Sequence, residues 1–107
     1  MFELFKKPLA ETDLKHIWLY SFKNWGETQA DYYMHQFDAG LQRLVDNPKL
    51  GRPRDSIRLG YHSIQINRHI AYYQIQNQRI VIVRVLHERM NPMEHLEGRI
   101  PTDNAQS

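Results

Sequence analysis

The sequence contains no cysteine, so it offers neither a disulfide framework nor a thiolate metal site. No apolar run approaches the roughly 20 residues that cross a bilayer. The start, Met-Phe-Glu-Leu-Phe-Lys-Lys, lacks the charged region and apolar core of a signal peptide. The expectation is a soluble, cytoplasmic protein with no membrane partner. Six histidines are present, but no two stand at the i, i+4 helical spacing of a zinc site and no H-E-x-x-H occurs. Gly51-Arg-Pro-Arg54 is a turn with two cations, not a phosphate-cradling loop before a helix. No metal and no cofactor are expected. Ser56 and Ser63 have no local nucleophile setting, and neither an internal repeat nor a low-complexity stretch is visible.

What is present suits one modest core. At 107 residues with 41% hydrophobic and 11% aromatic content, the chain is read as a single domain over residues 1–98, with a polar, flexible tail over 99–107. Net charge is only +2, but it is unevenly spread. Residues 1–48 carry five basic and seven acidic side chains, whereas residues 49–89 carry eight basic and two acidic. Seven of those eight are arginines (Arg52, Arg54, Arg58, Arg68, Arg79, Arg84 and Arg89). Guanidinium groups favour bidentate pairing with carboxylate or phosphate; an arginine on a strand also simply covers apolar surface with its stem.

Residues 2–6 read as a short first strand closed by Pro8. Thr12 or Asp13 then caps a helix whose apolar stripe is Leu14, Ile17, Trp18, Phe22 and Trp25, ended by Gly26. A second helix follows Thr28, with Ala30, Tyr33, Met34, Phe37, Leu41, Leu44 and Val45 on one face, and stops at Asn47-Pro48. Asp13, Asp31 and Asp38 read as solvated carboxylates on the helices. A short link makes the helices an antiparallel hairpin. Residues 48–60 form a basic loop, and strands follow at about 61–66, 70–76 and 79–86, with breaks at Asn67-Arg68 and Asn77-Gln78. The fold class is therefore α/β (α+β): a β-α-α-β-β-β order, the hairpin packed on a mainly antiparallel four-stranded sheet, with room for a short C-terminal helix.

The last strand is apolar on both faces: Val81, Val83 and Val85 on one, Ile80, Ile82 and Leu86 on the other, interrupted by Arg84. One face packs on the helices. The other is either covered by the segment 92–98 or left as a partner site, and contiguous exposed apolar surface favours a partner site.

Metal-independent cleavage of RNA needs a base, cations for the developing phosphorane charge and an acid. Arg68 and Arg84 could supply the cations and His62, His69 or His87 the acid or base, with His95 the one plausible acid near the C-terminus. Histidines at strand ends are also common as ordinary hydrogen-bonding residues.

Three segments in order carry a family resemblance. Pro48-Lys-Leu-Gly-Arg-Pro-Arg54 resembles the Pro-x-x-Gly-Arg-Pro-Arg turn of ParE-like toxins. Arg68-His-Ile-Ala-Tyr-Tyr73 resembles their Gly-Arg-Tyr/His-x-Ile-x-Tyr hairpin, with Asn67 where glycine is usual. Arg84-Val-Leu-His87 resembles the end of their last strand. The chain thus resembles the ParE branch of the ParE/RelE superfamily of type II toxin–antitoxin systems. That resemblance implies a toxin that poisons DNA gyrase by binding, on the gyrase–DNA complex, without turnover of its own, and that is neutralised by a ParD-like antitoxin. It points to Arg52, Arg54, Arg58, Arg68, Tyr72, Ile80, Ile82, Arg84, Leu86 and His87 as partner-binding residues. The RelE branch shares the fold but acts as a ribosome-dependent endoribonuclease; on that alternative the catalytic set is Arg68, Arg84, His87 and His95. The absence of lysine after Lys49 and of tyrosine after Tyr73 departs from the RelE pattern and favours gyrase.

Overall fold

Pro8 occupies the first position of a helix, where its missing N–H is no loss and its fixed φ suits the first turn. In this computed structural model, which describes residues 2–96, that helix (α1, Pro8–Trp25) directly follows strand β1 (Glu3–Lys6). Its N-cap is Lys7, so Thr12 and Asp13 lie inside the helix and cap nothing. Proline outweighs the capping side chains here because it pre-sets the helical backbone four residues earlier. Gly26, at φ 92°, ends α1 and starts α2 (Glu27–Asp46), a left-handed angle that glycine adopts without a Cβ clash.

The buried stripe of α1 is Ala10, Leu14 and Ser21, with Ile17 half-buried between them. The stripe expected through Phe22 and Trp25 is displaced: both are exposed, and Trp18 stacks on Phe22 with ring centroids 5.1 Å apart. Small Ala10 and Ser21 are buried on this helix, while Phe22 and Trp25 are left outside. On α2 the expected face is the observed one, with Ala30, Phe37, Leu41 and Leu44 buried.

The sheet has five strands, not four, in the order β1-β5-β4-β3-β2. The extra strand is β2 (Arg52–Pro53), two residues within the expected loop that pair with Ser63 and His62. A proline at the sheet edge loses no ladder bond, which is why so short a piece can pair there. Strands β3 (Tyr61–Ile66), β4 (His69–Gln76) and β5 (Arg79–His87) form an antiparallel meander, and β1 adds to β5 in parallel. Asn67 and Asn77 each take φ 56° in the two turns, a conformation asparagine tolerates better than most residues. The α+β class and element order are as expected; the domain limit at residue 98 and the tail 99–107 lie outside the described residues.

A bulge in β5 decides which side chains share a face. Tyr72 pairs with Arg84 and Tyr73 with Ile82, so Val83 is an extra residue in the ladder. Parity changes there: Ile80, Ile82 and Val85 enter the core under the helices, while Val83 and Leu86 enter a second cluster on the opposite face. Simple alternation had put Val85 with Val83 and Leu86 with Ile82.

That second face is not open. Tyr61, Tyr72, Val83 and Leu86 pack with Ile57 from the basic loop, Ile70, and Leu96, which is 2% exposed. The short helix in the covering segment is a single 3-10 turn, Pro92–Glu94.

Candidate functional site

Arg84 is the centre of a lock between β5, α1 and the C-terminal segment. Its Nε and Nη2 donate to the two carboxylate oxygens of Asp13 at 2.8 and 2.9 Å, and its Nη1 donates to the His95 carbonyl at 2.9 Å. Asp13 also accepts the Val85 backbone N–H at 2.9 Å. The side chains are 17% and 13% exposed, and the carboxylate hydrogen bonds push the Arg84 pKa up. Asp13 is therefore no solvated carboxylate. Its signal was in the helical spacing: it stands three residues after Ala10 on the buried side, where a purely apolar stripe passes over it.

The basic loop is divided. Arg52 and Arg58 are exposed; Arg54 is half-buried, donating to Ser63 Oγ at 3.3 Å with its guanidinium 6.0 Å from the Tyr72 ring centroid. The turn depends on Gly51, whose N–H donates to the Tyr73 hydroxyl at 3.1 Å while that hydroxyl donates to the Pro48 carbonyl at 2.8 Å. A Cβ on Gly51 would stand 2.5 Å from the Ser63 carbonyl oxygen and from the Tyr73 hydroxyl, so only glycine fits against them here.

A larger feature lies at the other end of the meander. The C-terminal half of α1, the first half of α2, the β3–β4 turn and the end of β5 enclose an open cleft of about 1420 Å³. Within it the Arg68 backbone N–H donates to the Tyr33 hydroxyl at 3.3 Å, and that hydroxyl shares a hydrogen bond with His69 Nδ1, 2.6 Å away. Burial, helped by His87 and opposed by Glu88, pushes the His69 pKa down to about 4. Burial likewise raises Tyr33 against the lowering effect of the Arg68 N–H. The His69 and His87 rings meet edge to face at 5.2 Å. Arg68 pairs with Glu88 at 3.4 Å on the rim.

The residues proposed as partner contacts or as a ribonuclease set are thus not brought together. Arg68 and His87 line the cleft, whereas Arg84 and His95 line a small depression with Lys7, Pro8, Leu9 and Val83. His62 stacks on Tyr73 at 5.3 Å, at the far end of β3. Ile80 and Ile82, both 0% exposed, are core beneath the helices, and Tyr72 and Leu86 are buried in the second cluster. None of these four is an accessible contact in this conformation: the helices cover Ile80 and Ile82, and the cluster that includes Ile57 and Leu96 covers Tyr72 and Leu86. Among the described residues, no group of three or more histidines and carboxylates could hold a metal ion, and no helix is long and apolar enough to cross a membrane.

Comparison with known proteins places these features in a family. Residues 4–92 match the model of the ParE toxin of the type II toxin–antitoxin system, parDE. Toxin ParE1 of Caulobacter vibrioides is 36% identical over 87 residues, covering 81% of this chain and 90% of that protein. Toxin ParE1 of Mycobacterium tuberculosis is 34% identical over 85 residues, covering 78% and 87%. A solved chain titled as the chromosomal ParDE toxin–antitoxin system from P. aeruginosa superposes with a TM-score of 0.72 at 21% identity, over 81% of this chain and 96% of that one; it shares the fold.

Proposed function

Because the chain belongs to the ParE toxin family of parDE type II toxin–antitoxin systems, we propose that it acts in the cytoplasm by binding DNA gyrase and trapping the cleaved gyrase–DNA complex, without catalytic turnover, and that a ParD-like antitoxin neutralises it. The observation that carries this reading is the dispersal of the residues a nuclease would need. Arg84 spends three of its N–H groups on Asp13 and on the His95 main chain. Arg68 and His87 face a different cleft from His95. General acid–base cleavage requires such groups within hydrogen-bond reach of one phosphate, which favours binding over cutting.

The exposed cations Arg52, Arg58 and Arg68 are the contacts we assign to an acidic antitoxin segment, and their attraction would steer association in a salt-dependent way. The test uses purified gyrase, ATP and supercoiled plasmid with the full chain, stopped with detergent. Accumulation of linear plasmid is expected. Unchanged supercoiling with no linear product, together with cleavage of ribosome-bound messenger RNA, would overturn the proposal in favour of the endoribonuclease.

A further inference from the structure

The large cleft has a chemistry that neither the fold nor the gyrase reading uses. From α1, Tyr20 and Trp25 present their rings to it, each 63% exposed, and meet edge to face at 5.8 Å. Folding buries neither ring, and large aromatics left this open at the mouth of a cleft are available to a flat partner surface. From the sheet side, Arg68 and Arg89 line the same cleft. The Arg68 side chain is 71% exposed, and its 3.4 Å pair with Glu88 is a surface contact that competes weakly with a phosphate. Among the described residues, Glu88 is the one carboxylate on the lining, against two guanidinium groups.

Exposed rings facing cations across an open groove are what a single nucleic-acid strand requires, because bases stack on aromatic faces while phosphates pair with guanidinium groups. An acidic peptide would use the cations but leave the rings without a planar partner. At about 1420 Å³ the cleft is also larger than the roughly 300–1,000 Å³ typical of small-ligand sites. We propose that this cleft binds a short stretch of single-stranded DNA, bases against Tyr20 and Trp25 and phosphates against Arg68 and Arg89. The choice of DNA over RNA rests on the gyrase reading; the existence of a strand site does not.

The test measures fluorescence anisotropy of a labelled oligothymidylate, about twelve nucleotides long, against the full chain at low salt. Saturable binding is expected, with a log–log salt slope of about −1.4 for two phosphate contacts on a single strand. Trp25→Ala should weaken it at least about fivefold, the lower end for losing one stacked base, and Arg89→Ala should weaken it and make the salt slope shallower by about 0.7, one phosphate contact. Arg43→Ala, an exposed cation near the end of α2 and away from the cleft, should change it less than about twofold. Thermal melts of the variants should match the parent, since the altered side chains are exposed. Absence of binding, insensitivity to Trp25→Ala, or stronger competition by polyglutamate than by unlabelled oligonucleotide would overturn the site. Tighter binding of an RNA of equal length would overturn the choice of DNA. No gyrase is present in this experiment. Poisoned gyrase without oligonucleotide binding therefore removes this inference alone, and binding without gyrase poisoning removes the gyrase reading alone.

Discussion

Replacing Asp13 by alanine should be among the most damaging single changes in this protein. The substitution removes the acceptor for Arg84 Nε, Arg84 Nη2 and the Val85 N–H at once, and leaves a guanidinium that is 17% exposed with only the His95 carbonyl. Hydrogen bonds to charged groups contribute about 1.5–3 kcal/mol each, but three that share one carboxylate do not add. Stranding one partner of a fully buried pair costs about 3–5 kcal/mol. With both side chains slightly solvated, the lower end applies, and about 3 kcal/mol is expected. For a domain whose whole stability is about 5–15 kcal/mol, that is a large fraction, and the melting temperature should fall by roughly 10–15 °C. Urea titration of the parent, Asp13→Ala, Arg84→Ala and the double variant would measure it. The double variant should fall short of the sum of the singles by about 2 kcal/mol, because once either partner is gone the other contributes little. A cost below about 1 kcal/mol for Asp13→Ala, or strict additivity, would refute the lock and return Arg84 to the pool of free cations.

Two further outcomes follow from the geometry. The His69 pKa of about 4 lies below its ordinary 6.5, so between those values the unfolded chain binds more proton than the folded one. Stability should therefore fall as pH drops from about 6.5 to 4, by about 1–2 kcal/mol in all once partial solvation of the ring is allowed for, and then level off. His69→Gln should flatten that part of a pH-dependent denaturation profile, and a slope unchanged by the substitution would count against the burial of the ring. Gly51→Ala should cost about 1–3 kcal/mol in urea, because the new methyl must push the Ser63 carbonyl and the Tyr73 hydroxyl apart; a neutral result would mean that the turn can relax away from the sheet.

Much of the architecture was written locally. The spacing of Ala30, Phe37, Leu41 and Leu44 on α2, the proline stop at Asn47-Pro48 and the short polar breaks at Asn67 and Asn77 each act over a few residues, so periodicity and turn chemistry were enough to read the elements and their order. The three short segments that resemble ParE-like toxins belong to the same class: a turn, a hairpin and a strand end, each contiguous. What failed was any inference that carried one-dimensional alternation through to a surface. The bulge at Val83 reversed the faces of β5, and nothing within the strand announced it, since a bulge is a mismatch between two strands rather than a property of one.

The candidate site divides along the same line. Composition alone concentrated arginine in residues 49–89 and removed cysteine chemistry altogether. Only tertiary structure could say which arginine is spent and which is available. Arg84 meets a carboxylate 71 positions away and becomes part of the scaffold, while Arg68 stays on the rim of a cleft whose aromatic wall comes from α1. Tyr33 finds His69 across 36 positions, and burial there sets the proton count of the imidazole. The sequence by itself determined the family and every element but the two-residue β2, because those depend on contacts between near neighbours, whereas β2 exists only by pairing with β3. The fold alone decided which charges are neutralised, which apolar face is closed by Leu96 and where the open cleft lies, because each depends on pairs of residues that chain distance keeps apart until the sheet is formed.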